Sequence, residues 1–113
     1  MAINYNGRRF ALVQTSTGAS GGTIFEYHQR GEAVWGSYSG GTVEVGSFVA
    51  KSNEEGVLDL LFQHLNTVGV MYAGRAIVTP EPMADGRLRL NEFFEFTIGG
   101  VGTGISAVEE IRE

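Results

Sequence analysis

Residues 23–50, TIFEYHQRGEAVWGSYSGGTVEVGSFVA, decide how this chain is read. Three runs rich in β-branched and aromatic residues, Thr23–Arg30, Ala33–Ser39 and Thr42–Ala50, are separated only by Gly31-Glu32 and Gly40-Gly41. Short connections of this composition are hairpin turns, because glycine reaches positive φ without strain and the twist of such turns matches that of paired strands. Strands joined this way form an antiparallel meander.

The same punctuation continues in both directions. Toward the N-terminus, Asn6-Gly7 between Ile3–Tyr5 and Arg8–Val13 reads as another hairpin, with a type I′ turn. Gln14–Gly22, built almost wholly of Thr, Ser, Gly and Ala, cannot bury a face and reads as a flexible loop. Toward the C-terminus, Lys51–Gly56 is a charged loop, and Val57–Asn66 and Gly69–Thr79 are the next strands. Pro80 and Pro82 end the latter, since neither has an N–H to give a ladder. Asp85-Gly86 then turns the chain into Arg87–Ile98, and the glycine cluster Gly99–Gly104 leads to the final segment.

Two segments admit a helix. Val57–Leu65 contains good helix formers but is bracketed by strands and tight turns, so it reads as a strand. Ile105–Arg112 opens with Ser106 as an N-cap and has Glu109 three residues on, so a helix and a closing strand both stay open there. The count comes to about eight strands. A meander of that length must protect its edges, most simply by closing, with Arg8–Val13 against the end of the chain. The expectation is one all-β domain over residues 1–113, an eight-stranded antiparallel up-and-down barrel.

Composition narrows the function. A length of 113 residues suits one domain with a real core. The 17 glycines are about twice the usual share of roughly 7%, as many turns require. With a formal charge of −5 and arginines scattered among acids, no basic face exists for nucleic acid. No run is long and apolar enough to span a bilayer, and the N-terminus lacks an apolar leader, so no membrane partner and a cytoplasmic setting are expected. The chain has no cysteine for disulfides or thiolate chemistry. Two isolated histidines are too few for most metal sites, no G-x-S-x-G is present, and Gly99–Gly104 matches neither nucleotide-loop pattern. No catalytic residue, metal site or cofactor is assigned.

Alternation along the strands sorts the remaining polar residues. One face of 57–66 carries Leu58, Leu60, Phe62, His64 and Asn66, and one face of 87–98 carries Leu88, Leu90, Glu92, Phe94, Phe96 and Ile98. If that second face is internal, Glu92 needs a partner, for which His64, Arg75 and Tyr38 are the candidates. Tyr38, His64, Asn66 and Glu92 would then be polar anchors in an apolar pocket, the usual make-up of a small-molecule site. Trp35 lies on the face opposite Tyr38, and Phe25, Tyr27, Phe48, Tyr72 and Phe93 fall on both faces, so part of the outer wall is expected to be apolar. That favours a homodimer or higher homo-oligomer.

Ile3–Gly7, Thr23–Tyr27, Gly36–Gly41, Thr79–Glu81, Asp85–Leu90 and Ser106–Ile111 together resemble a family of short, uncharacterised bacterial proteins often labelled N-acetylglutamate synthase. The acetyltransferase loop that this label implies, [RQ]-x-x-G-x-[GA], is not matched, because Gly99 stands in the place of its Arg or Gln. The architecture this resemblance implies is similar to the avidin and streptavidin barrel, of avidin-like or lipocalin-like type. Gly36-Ser-Tyr38-Ser-Gly40 resembles the strand whose tyrosine points into the biotin pocket, although Gly40 replaces that pattern's serine. Phe94 falls where those barrels place a pocket tryptophan, and no aspartate near the C-terminus matches their deep-pocket acid. Relatives tend to carry a basic residue near Leu61 and an aspartate near Gly100. The resemblance thus adds Phe94 to the candidate site. Two functions follow as expectations: a non-catalytic module holding a small apolar ligand in the barrel mouth through Tyr38, His64, Asn66, Glu92 and Phe94, or a filled barrel that works as a homo-oligomer.

Overall fold

A computed structural model describes residues 3–15 and 22–112. Its eight strands are β1 (Arg9–Thr15), β2 (Ile24–Arg30), β3 (Ala33–Gly40), β4 (Val43–Ser52), β5 (Leu58–Asn66), β6 (Met71–Pro82), β7 (Leu88–Ile98) and β8 (Thr103–Glu110). Each pairs antiparallel with the next, and β1 pairs with β8, from Phe10↔Glu110 to Thr15↔Ser106. The barrel is therefore closed, and the edges that a meander would expose are gone.

Strands won both ambiguous segments. In β5 the alternation is clean, with Leu58 and Leu60 buried and Asp59 and Leu61 exposed. The segment from Ile105 becomes β8, because pairing with both β7 and β1 supplies every register position that an isolated helical turn would forgo.

The structure corrects several readings. Ile3–Tyr5 is not a strand: Tyr5 instead turns its ring into one end of the barrel, where it is fully buried. Asn6-Gly7 is a turn, closed by the Arg8 N–H donating to the Tyr5 carbonyl at 3.1 Å, but Asn6 keeps a negative φ and only Gly7 is positive, at 79°, so it is not type I′. Gln14 and Thr15 continue β1, and Gly22 is a described residue, while the rest of the expected loop, residues 16–21, lies outside the described residues. Lys51 and Ser52 likewise belong to β4.

Pro80 and Pro82 do not end β6 but pair with Leu90 and Leu88 of β7. The reason is local. The β5 ladder stops at Leu58↔Val78, so beyond Val78 the strand has an open side on which a missing N–H breaks nothing.

Glycine serves a second purpose besides turns. Gly36, Gly46 and Gly74 lie on the inner face of β3, β4 and β6, where a Cβ would come within 2.7 Å of Phe48 Cζ, 2.6 Å of Tyr38 Cζ and 2.6 Å of Phe62 Cζ, respectively. Bare backbone at these points lets large rings lie flat against the wall. A core of Tyr5, Phe10, Tyr27, Val34, Leu58, Val78, Leu88, Leu90 and Val108 packs one end of the barrel solid. Among the described residues the other end is open.

Candidate functional site

Above the packed floor the interior widens into a cavity of ≈ 530 Å³, within the range of about 300–1,000 Å³ usual for small-molecule sites. Thr15, Thr23, Thr42 and Asn66 stand among its lining residues, and the rest is mainly aromatic and aliphatic.

The aromatic side chains form a continuous belt. Phe25 stacks on Tyr38 at 4.9 Å between ring centroids, Tyr38 meets His64 edge-on at 5.5 Å, and His64 stacks on Tyr72 at 5.1 Å. The belt continues from Tyr72 to Phe96 at 5.5 Å and from Phe96 to Phe94 at 5.2 Å. Register builds this belt: Phe25↔Tyr38, His64↔Tyr72 and Ala76↔Phe94 are cross-strand partners, so inward residues of adjacent strands come side by side.

Within the belt, Tyr38 Oη and His64 Nδ1 are hydrogen-bonded at 2.8 Å. Burial holds the Tyr38 phenol far above its usual range, helped by the nearby Glu92 charge. Burial also lowers the His64 imidazole below its usual value, so near neutral pH the pair shares a hydrogen bond between uncharged groups. Glu92 sits one step above the buried Leu90 on the inner face of β7. Burial raises its carboxyl above the ordinary carboxylate range, and a hydrogen bond from Ser106 Oγ to Glu92 Oε1, at 2.7 Å, partly opposes that.

The five residues singled out in the sequence all line this cavity. Tyr38 and His64 touch, Phe94 belongs to the belt, and Glu92 lies deeper. Asn66 stands at the mouth, where its Oδ1 accepts the N–H groups of Val68 at 3.1 Å and Val70 at 2.8 Å and so shapes the β5–β6 turn. Glu92 finds none of its expected partners by hydrogen bond. Arg75 points outward and pairs with Asp59 at 2.8 Å, and Tyr38 and His64 bind each other. Ser106 takes the role because Glu92 and Ser106 are direct partners in the β7–β8 ladder, a register unreadable while that segment could still be a helix.

Four of the aromatics expected across both faces, Phe25, Tyr27, Phe48 and Tyr72, turn inward and line the cavity. Phe93 faces out, 55% exposed, with Trp35, Val49, Leu61, Ile77 and Ile105 also exposed on that wall. Among the described residues no group of three or more His, Cys, Asp or Glu side chains could hold a metal ion.

The family model described as Avidin-like protein matches residues 3–111. No curated protein and no solved structure matches the chain.

Proposed function

The chain belongs to the avidin-like family, and from that premise we propose that it is a non-catalytic binding module that takes a small, largely apolar molecule into the open end of its barrel. The cavity itself carries this reading. A barrel built only for stability would be filled by side chains at eight strands, as its closed end is, yet the other end keeps ≈ 530 Å³ lined largely by aromatic and aliphatic side chains. Phe94 and its neighbours in the belt supply the apolar walls, and Tyr38, His64, Asn66 and Glu92 supply the few polar contacts that orient a ligand.

Native mass spectrometry of the protein purified from its host tests the proposal. A mass beyond that of the chain, released on unfolding, is the expected result. A bare chain that also takes up no 2-phenylethanol added in excess would contradict it.

Self-association is a second reading, favoured by the exposed wall of Trp35, Val49, Leu61, Ile77, Phe93 and Ile105. It does not require a filled interior and is compatible with the first. Light scattering on the full chain and on Phe93→Lys tests it: a change in mass on substitution supports the wall as an interface, and a monomer in both removes this reading.

A further inference from the structure

Among the described residues that line the cavity, Glu92 is the one carboxylate, and neither Lys nor Arg contributes. Four arginines pair with acids away from it: Arg75 with Asp59, Arg87 with Asp85, Arg89 with Glu109 and Arg8 with Glu110. Glu92 receives a hydrogen bond from Ser106 on one oxygen. A carboxylate offers about four acceptor sites, and among the described residues that bond fills one of them. The acid is felt across the lumen, since its charge contributes to raising both the Tyr27 and the Tyr38 phenols.

The rings around it add to the same field. An aromatic face carries negative charge density, and the belt from Phe25 through Tyr72 to Phe94 lines much of the lumen with rings that can offer one. A ligand with a carboxylate would meet repulsion with no Lys or Arg to offset it, and burial holds the one imidazole there, His64, toward its neutral form. A wholly neutral, apolar ligand would strip water from Glu92 and give nothing back. An organic cation answers both features: it pairs with the acid and is attracted to the ring faces.

We propose that the ligand of this lumen is a protonated amine carried on an apolar body, with its ammonium group paired to Glu92 and its body within the aromatic belt. This rests on the binding reading above, and the two can fail separately. The test is isothermal titration of the full chain near neutral pH and at low salt with 2-phenylethylammonium, 2-phenylethanol and 3-phenylpropanoate. The ammonium should bind at least about tenfold more tightly than the alcohol, and the carboxylate should bind most weakly. In Glu92→Gln the ammonium should lose its advantage over the alcohol.

An alcohol that binds the wild-type protein as well as the ammonium does would overturn the cation assignment and leave the cavity as a binding site. Failure of all three to bind would overturn both. A preference for the ammonium that survives intact in folded Glu92→Gln would also overturn it, by placing the selectivity elsewhere. The wild-type ranking decides the matter even if Glu92→Gln does not fold.

Discussion

At the closed end of the barrel, Tyr5, Phe10, Leu58, Val78, Leu90 and Val108 are fully buried. At the open end, Phe62, His64, Tyr72 and Phe96 keep part of their surface toward a cavity. Both ends are made by the same strands and the same inward alternation. They differ in what plugs them. The closed end has Tyr5, whose hydroxyl donates to the Gly56 carbonyl and whose N–H donates to Gln29 Oε1 at 2.7 Å, so a segment outside the sheet caps the floor. Burial there pushes the Tyr5 phenol up to about 12, against the pull of Arg8. Among the described residues no such plug is drawn into the aromatic belt, and rings there rest on one another rather than on a filled core. One end of the barrel thus serves stability, and the other leaves room for a guest.

Substitutions can break this contrast, and the largest effect belongs to the floor. Leu90→Ala should destabilise the fold by about 2–5 kcal/mol, because a fully buried leucine leaves a cavity that its neighbours cannot refill. Phe62→Ala should cost less, under about 2 kcal/mol, since its ring already borders empty space. Urea unfolding of the two variants checks this, and equal losses would erase the distinction between the ends.

Next is Gly74→Ala, whose Cβ would lie 2.2 Å from the Glu95 carbonyl oxygen and 2.6 Å from Phe62 Cζ. About 1–3 kcal/mol of destabilisation is expected from overpacking, with the Phe62 ring displaced toward the lumen and ligand uptake reduced. Thermal unfolding together with titration of 2-phenylethanol would detect both effects.

Tyr5→Phe should cost about 1–2 kcal/mol, because it removes a buried donor and leaves the Gly56 carbonyl short of a partner. Lumen binding should be unchanged, since the ring that caps the floor stays. Loss of binding in this variant would mean that the two ends are coupled.

The smallest effect concerns Glu92, and its sign follows from the direction of its shift. A carboxyl raised by burial favours the protonated form in the folded state. Its contribution to stability is therefore fully present below the unfolded value of about 4.5 and is lost as pH rises through the folded value. Glu92→Gln does not titrate, so relative to it the wild type should lose stability between those values as pH rises. His64 is common to both proteins. Its lowered value works the other way, with stability lost as pH falls below the unfolded 6.5. Denaturant titrations of both proteins from acid to neutral pH should give curves that converge at low pH; parallel curves would show that Glu92 is not held above its usual range.

Much of the fold was legible in the sequence because alternation and glycine turns are local signals. The turn at Gly31 and the grouping of Leu58, Leu60, Phe62, His64 and Asn66 on one face of β5 could be read without knowing any partner strand, whereas which face turned inward could not. What stayed hidden depended on distant pairing. Pro80 and Pro82 look like strand breakers until β5 is known to stop short of them. Tyr5 looks like a strand residue until the barrel end it plugs exists. Gly36 and Gly74 give no sign in sequence that each makes room for a phenylalanine on a neighbouring strand. The site divides in the same way: His64 and Glu92 stood out as polar residues on apolar faces, whereas Ser106 became visible only through the β7–β8 register.

The central claim, a filled floor beneath an open aromatic lumen that accepts a small organic molecule, can be tested by mapping where such a molecule goes. Side-chain NMR of the full chain during titration with 2-phenylethanol should show saturable shifts at Phe62, Tyr72 and Phe96, with Tyr5, Phe10 and Leu90 unmoved. No saturable shift, or shifts confined to Trp35 and Phe93 on the outer wall, would contradict it.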